Sequence, residues 1–356
     1  MNDAPDRSDL LFGEEDEPDL IIDEDEDDAL AVQCWGDPEG RPVVLMHGMP
    51  GSRLGPRPRS IVLERMGIWL ISYDRPGYGL SKRQPGRTVA QAATDVERIA
   101  EHLDLGKFAI VGRSGGGPHA LACAAQLEKR VDRVALLVSF APPDASGLNW
   151  NDGMARVNVD DYADVDGSMA AAPAGQVAET ASLRARAEEI RRDPENLVRH
   201  LLPELTPADR RFVEDRAMRN LLIQTYAEAV RRGPGGWIDD AIALRTPWDF
   251  KFNDVKCPVL LWHGGDDRFA PAAHTRWIAD QLRDGKDTPE EQEQIQVWIE
   301  REAAHFAAFE IFPEVLSWLV APVVFPASML ARTVAGPVVD GFVFQPAEPV
   351  RSGVHG

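Results

Sequence analysis

Residues 108–119 read Phe-Ala-Ile-Val-Gly-Arg-Ser-Gly-Gly-Gly-Pro-His, and within them Gly112-x-Ser114-x-Gly116 sets one serine between two glycines. A serine at a tight strand-to-helix turn is forced outward, and glycines two before and two after it let neighbouring backbone pass without clashing. Its hydroxyl then sits at the N-terminus of the following helix, where unpaired N–H groups stabilise developing negative charge. The same letters also spell a Gly/Ser turn with no chemical role. What gives them meaning is the context: an apolar strand-like run before them and an Ala-rich helical run after.

A serine hydroxyl is a weak nucleophile until a base takes its proton, so a histidine and an orienting carboxylate should follow. Of the eight histidines, His47 and His263 each end an apolar run before glycine and read as packing or loop-shaping residues. His119 lies one turn into the helix after Ser114 and is placed to line a pocket floor. His102, His200 and His274 sit in polar contexts and are expected at the surface, and His355 lies in the tail. His305, in Ala303-Ala-His-Phe-Ala, follows a strand-like run and is the candidate base. For the acid, Leu260-Leu-Trp-His-Gly-Gly-Asp-Asp-Arg-Phe-Ala-Pro offers Asp266 and Asp267 side by side, and either one can orient a histidine.

Short β-rich runs alternating with helical patterns predict a mostly parallel sheet covered by helices, an α/β fold. Strands are expected at Leu30–Trp35 (an edge), Pro42–Met46, Ile68–Tyr73, Phe108–Val111, Val134–Ser139, Pro258–Trp262 and near Gln294–Ile299. Thr88–Leu103 has apolar residues at helical spacing. The stretch from 141 to about 250 is rich in Ala, Arg, Asp and Glu. It reads as helices over Ser182–Arg192, Glu195–Leu202, Pro207–Arg216 and Met218–Arg232, with Ser182 and Thr206 as N-caps. A helical insertion of that size between two strands is a cap. Its Trp150, Met154, Tyr162 and Trp237 are candidates for a pocket wall.

The 356 residues carry a net charge of −20, but residues 1–29 hold fourteen Asp/Glu against one Arg. The remainder is therefore ordinary, and the run Glu14 to Asp28 is expected to be a disordered acidic leader. The acidic balance excludes a general nucleic-acid binder. Three scattered cysteines suggest neither a disulfide framework nor a thiolate metal site. No secretory signal is visible, so the expected compartment is the cytoplasm. Residues 315–331 carry no charge but are interrupted by Pro322 and Pro326, a poor membrane span. They read as a last core helix followed by an apolar tail.

His47-Gly-Met-Pro-Gly-Ser, Asp74-Arg-Pro-Gly-Tyr-Gly-Leu-Ser, Gly112-Arg-Ser-Gly-Gly, His263-Gly-Gly-Asp-Asp-Arg-Phe-Ala-Pro and Ala304-His-Phe together resemble the α/β-hydrolase superfamily over residues 30–320. The chain order Ser114, Asp267, His305 matches its nucleophile–acid–base order. The resemblance implies Asp267 rather than Asp266 as the acid, and an oxyanion hole from the backbone N–H groups of Met49 and Gly115. It also implies a sheet domain in two parts (30–140 and 251–320), a helical cap (141–250), and an extension at 321–356 outside the family pattern. The cap's return, Gly233-Pro-Gly-Gly-Trp-Ile-Asp-Asp, is similar to that of bacterial proline iminopeptidases. A serine at the elbow argues against the haloalkane dehalogenases and soluble epoxide hydrolases of this fold, which use aspartate there.

The expected activity is hydrolysis of an ester, thioester or other small acyl bond through an acyl-enzyme, with a small-molecule acyl substrate and neither cofactor nor metal. An aminopeptidase is the alternative within enzymes. A cofactor-free lyase or a non-catalytic binding module on the same fold is the alternative of another class.

Overall fold

The computed structural model describes residues 18–173, 178, 180–284 and 286–321. Its centre is one eight-stranded sheet: β1 (Leu20–Ile22), β2 (Leu30–Gly36), β3 (Arg41–Met46), β4 (Ile68–Tyr73), β5 (Phe108–Arg113), β6 (Val131–Leu137), β7 (Val259–Gly264) and β8 (Ile295–Glu300), in the order β1-β2-β4-β3-β5-β6-β7-β8. The β1–β2 and β2–β4 pairs are antiparallel and every other pair is parallel.

The central strands are apolar runs because both of their faces are covered. Side chains alternate between the faces with period two. Val44, Met46, Ile71, Ile110, Val134 and Leu261 pack on one side, with helices α2 (Ala92–His102), α3 (Gly116–Gln126) and α10 (Ala272–Asp284). Val43, Leu45, Leu70, Val111, Leu137 and Leu260 pack on the other, under α1 (Ser60–Arg65) and α12 (Phe312–Val320). A short helix α11 (Pro289–Glu293) precedes β8, opened by a Thr288/Glu291 capping box.

Between β6 and β7 lies the helical segment expected as a cap: α4 (Arg156–Ala171), α5 (Ala181–Arg192), α6 (Glu195–Leu201), α7 (Pro207–Glu214), α8 (Arg216–Ala229) and α9 (Gly235–Leu244). Leu183, Ile190, Leu197, Phe212, Leu222 and Ile238 form a separate apolar cluster there, closed from the sheet side by Tyr78, Phe269 and Phe306.

The described end of the leader, from residue 18, departs from expectation. Leu20–Ile22, three apolar residues inside the acidic run, form the edge strand β1, so β2 is not the edge it was expected to be. Asp19 accepts hydrogen bonds from Gln33 Nε2 (2.8 Å) and the Cys34 amide (2.7 Å), and Arg98 pairs with Asp23 and Asp28. Charge density alone argues for disorder, but partners on β2 and α2 and the burial of Ile22 offset it. Residues 1–17 and 322–356, including most of the expected tail and His355, lie outside the described residues.

In the cap, Thr206 caps α7 by accepting from the Asp209 amide, as expected. Ser182 does not cap α5; its hydroxyl donates to Asp164 instead, and the chain enters that helix at Thr180. The helices α4 and α9 were not anticipated. Helix α4 carries a weak apolar stripe with only Tyr162 and Val165 buried, and α9 opens on Gly235-Gly236, which reads as loop.

Candidate active site

Ser114 follows β5 directly and has φ +52°, a left-handed conformation that an L-residue adopts only at a cost. Its amide donates to the Leu137 carbonyl on β6 (2.8 Å), and its carbonyl accepts from Gly117 as α3 begins (2.9 Å). The flanking glycines are required by close approach. A Cβ on Gly116 would lie 2.3 Å from the Met46 carbonyl oxygen, and one on Gly112 would lie 2.5 Å from the Gly116 carbonyl oxygen. The elbow is thus wedged against the ends of β3 and β6, which fixes where the hydroxyl points.

The loops after β7 and β8 bring Asp267 and His305 together. Gly265 N donates to Glu300 O (2.7 Å) and Asp266 N to Ala303 O (3.0 Å), so each loop templates the other. His305 Nδ1 lies 2.8 Å from Asp267 Oδ2, and Asp267 Oδ1 accepts from the Phe269 and Ala270 amides (2.8 and 2.9 Å). His263 adds a further contact: its Nε2 lies 3.2 Å from Asp267 Oδ2 and also donates to the Ala270 carbonyl, while the Thr275 hydroxyl meets Nδ1 at 2.7 Å. Burial alone would raise the Asp267 carboxyl; the bonds and charge of His305 and His263 outweigh it and hold the acid far below the usual carboxylate range. Asp266 is exposed. His263, expected as a packing or loop-shaping residue, faces Asp267 from the strand's own end.

Ser114 and His305 line one cavity of about 80 Å³, together with Met49, Arg113, Phe140 and Asn158. A Cβ on Gly115 would sit 2.7 Å from Met49 Cβ and 3.5 Å from its backbone N, so the Met49 and Gly115 backbones flank the elbow side by side. Of the four cap residues considered for a wall, Tyr162 and Trp237 line the cavity. Trp150 instead stacks on Phe140 and donates its indole N–H to Ala141 O (2.9 Å), and Met154 packs in the same cluster.

His274 is not at the surface. It is 1% exposed, accepts from the Ala141 amide (3.1 Å) and donates to Trp150 O (2.9 Å); burial lowers its pKa to about 4. Of its polar neighbours on α10, Arg276 and Asp280 are exposed, whereas Thr275 is buried with it. His119 does not line the cavity; its Nε2 lies 3.5 Å from Asp240 beneath it.

A buried ionic cluster missed by motif reading ties the cap to the sheet. Asp240 on α9 meets Arg75 and Arg87 and accepts from the Tyr78 hydroxyl (2.9 Å). Asp239 receives a two-pronged bond from Arg83 at 2.9 Å. Arg75 also donates to the His47 and Gly48 carbonyls (2.6 and 3.0 Å), which fixes the loop carrying Met49. Burial opposes ionisation of Asp240, yet the two arginines hold it charged. Gly77, at φ +90°, lets the sheet loop touch α9: a Cβ there would lie 2.8 Å from Gly236 N.

A sheet with a strained serine elbow after β5, an acid after β7 and a histidine after β8 defines a class of protein, and the comparisons agree. The family described as the α/β hydrolase fold matches residues 41–310, so the chain belongs to it. Among curated relatives, the chain is 34% identical to a non-heme chloroperoxidase of Streptomyces lividans over 31% of its length and 40% of the relative's. It is 29% identical to the proline iminopeptidase of Neisseria gonorrhoeae over 34% and 41%. These matches therefore span about two fifths of those relatives. A longer match, 27% identical over 65% of this chain and 76% of the relative, is to the AB hydrolase superfamily protein YisY of Bacillus subtilis. The fold is shared with an esterase from Thermogutta terrifontis (TM-score 0.55, 22% identity, 82% of this chain and 93% of the other). It is also shared with the enol-lactonase from Burkholderia xenovorans LB400 (TM-score 0.58, 18%, 83% and 97%).

Proposed function

We propose that the protein is a serine hydrolase that transfers small acyl groups to water. The observation that carries this reading is that Ser114 and His305 face one cavity while Asp267 occupies Nδ1 of the histidine, which leaves Nε2 to serve the serine hydroxyl. In this mechanism Ser114 Oγ attacks the acyl carbonyl, His305 takes the hydroxyl proton and passes it to the leaving group, and Asp267 fixes the imidazole tautomer. The oxyanion is received by the N–H groups of Met49 and Gly115, with each such donor worth about 3 kcal/mol in the transition state. A water then releases the acyl group by the same route.

Ester and thioester substrates suit the site better than amides, whose amine leaving group needs more help from a proton donor. The similarity to a proline iminopeptidase raises the aminopeptidase alternative, but an ammonium group needs an unpaired carboxylate, and the cavity's cap acid, Asp161, is already paired with Arg186. Reaction with a fluorophosphonate probe tests the reading: wild type should be labelled and Ser114→Ala should not. Equal labelling of the two would refute it, and faster turnover of a proline anilide than of a short acyl ester would favour the aminopeptidase.

A further inference from the structure

The cavity beside Ser114 contains a cation that the described residues leave without a counter-ion in contact. Arg113, the residue between Gly112 and Ser114, is 8% exposed and lines the cavity. Its Nε and Nη2 are buried with no hydrogen-bond partner. The guanidinium carbon lies 3.9 Å from the centroid of the Phe309 ring and 5.6 Å from that of Phe306, so two aromatic faces hold it in place. Burial lowers its pKa to about 10, with Tyr226, Asp267 and Asp209 acting the other way at longer range, and it is therefore charged at neutral pH. The other cation in the lining, Arg186, is neutralised by Asp161.

Buried arginines ordinarily place their planar N–H fork on a carboxylate or phosphate. In Arg113, one residue from the nucleophile and fixed by rings, Nε and Nη2 are closed off, so the remaining amino group, Nη1, is the edge of the fork open to the cavity. We propose that Arg113 binds a carboxylate on the substrate, so that the acyl group attacked by Ser114 is one end of a short dicarboxylate half-ester or half-thioester. A single carboxylate matches the single unanswered charge, whereas a phosphate dianion would need a second cation.

The proposal rests on the serine-hydrolase reading and adds its substrate class. The bond from Ser114 Oγ to the acyl carbon forms as the bond to the alcohol or thiol breaks, and the serine proton leaves on that group through His305. Water then supplies the hydroxyl of the released acid, which ionises to give one proton per turnover.

That proton is counted in a pH-stat with the monomethyl esters of succinic, glutaric and adipic acids, each compared with the methyl ester of its ω-amide. The wild type should favour the half-ester by at least tenfold in kcat/KM for one chain length. Arg113→Met should bring that ratio close to one, and Arg113→Lys should retain part of it. Because each ratio is taken within one protein, a general loss of activity cancels. A wild-type ratio at or below one, a ratio unchanged in Arg113→Met, or labelling of Ser114 without turnover of any half-ester would each overturn the carboxylate site. The wild-type ratio decides the matter even if a variant fails to fold. Failure of the hydrolase reading looks different: neither ester class is turned over and Ser114 is not labelled.

Discussion

Replacing Asp267 by Asn tests the acid through hydrogen-bond polarity alone, since shape and volume barely change. The carboxylate serves two sets of donors: Oδ1 takes the Phe269 and Ala270 amides, and Oδ2 takes His305 Nδ1 and faces His263 Nε2. The two backbone donors cannot change their character. An asparagine therefore keeps its oxygen toward them and turns its NH₂ toward the histidines. His305 can meet an N–H donor only with an unprotonated Nδ1, which puts its proton on Nε2, the nitrogen that must accept from Ser114. The base is then blocked while the loop stays in place. A tautomer error of this kind lowers kcat by about ten-thousand-fold, or about 5.5 kcal/mol at roughly 1.36 kcal/mol per decade. Because Asp266 is exposed and its amide, not its side chain, bonds Ala303, Asp266→Asn should stay within about twofold of wild type on the estimate for a surface change. The assay is release of 4-nitrophenol from 4-nitrophenyl acetate at saturating substrate, with circular dichroism as the check on folding. A folded Asp267→Asn within tenfold of wild type refutes the tautomer argument, and the reverse order of the two variants moves the acid by one residue.

The strain at Ser114 should appear in stability: Ser114→Gly, free to adopt φ +52°, should be more stable than Ser114→Ala by about 1 kcal/mol in urea melts, with both inactive. Asp240→Asn leaves Arg75 and Arg87 buried beside a neutral amide and should cost about 3–5 kcal/mol, read as a lower urea midpoint, whereas loss of the more exposed Arg98–Asp23 pair in Asp23→Asn should cost under about 1 kcal/mol. His274 binds its proton with a pKa of about 4 in the fold against 6.5 in the unfolded chain. The unfolded state therefore takes up the proton first as pH falls, so the contribution to stability is full above 6.5 and is lost between 6.5 and 4. Between pH 7.5 and 5.5 this one residue should lower stability by about 1.3 kcal/mol. The pH dependence of the melting free energy should flatten by that amount in His274→Gln, and an unchanged slope would remove His274 from the acid sensitivity.

What the sequence made legible was governed by period and by local chain geometry. The central strands appear as apolar runs because both faces are buried, and the Ser114 elbow is readable because a strand, two glycines and a helix are neighbours in sequence. Helix α4 was missed because a helix that buries only Tyr162 and Val165 leaves little periodic trace. The leader was misjudged because three apolar residues are too few to outweigh its acids until β2 supplies their partners. His263 and Asp240 were passed over for a common reason: their roles depend on groups brought close only by folding, the carboxylate of Asp267 in one case and the arginines of the Asp74-Arg75 loop in the other.

Those long-range partners also join specificity to chemistry. Besides the Asp239–Arg83 pair, three carboxylates join the helical segment to the loops around the proposed site. Asp240 holds Arg75, whose other N–H groups hold the carbonyls of His47 and Gly48 just before Met49. Glu228 on α8 shares Arg53 with Asp74, in the loop that follows β4. Asp209 on α7 takes the amide of Phe306, the residue next to His305, at 2.7 Å. A cap attached only by apolar packing can slide, since such contacts have no preferred direction. Directional bonds to the neighbours of His305 and Met49 fix the wall of the cavity in register with the proposed base and oxyanion donor. A shift of the cap by an ångström would therefore be felt at the base, where misplacement on that scale costs about a hundredfold in rate. Substitutions at side chains that line the cavity without bearing these bonds, such as Tyr162, Leu183 and Trp237, are therefore expected to change substrate preference, and those at Asp209, Glu228 or Asp240 to change the rate on every substrate.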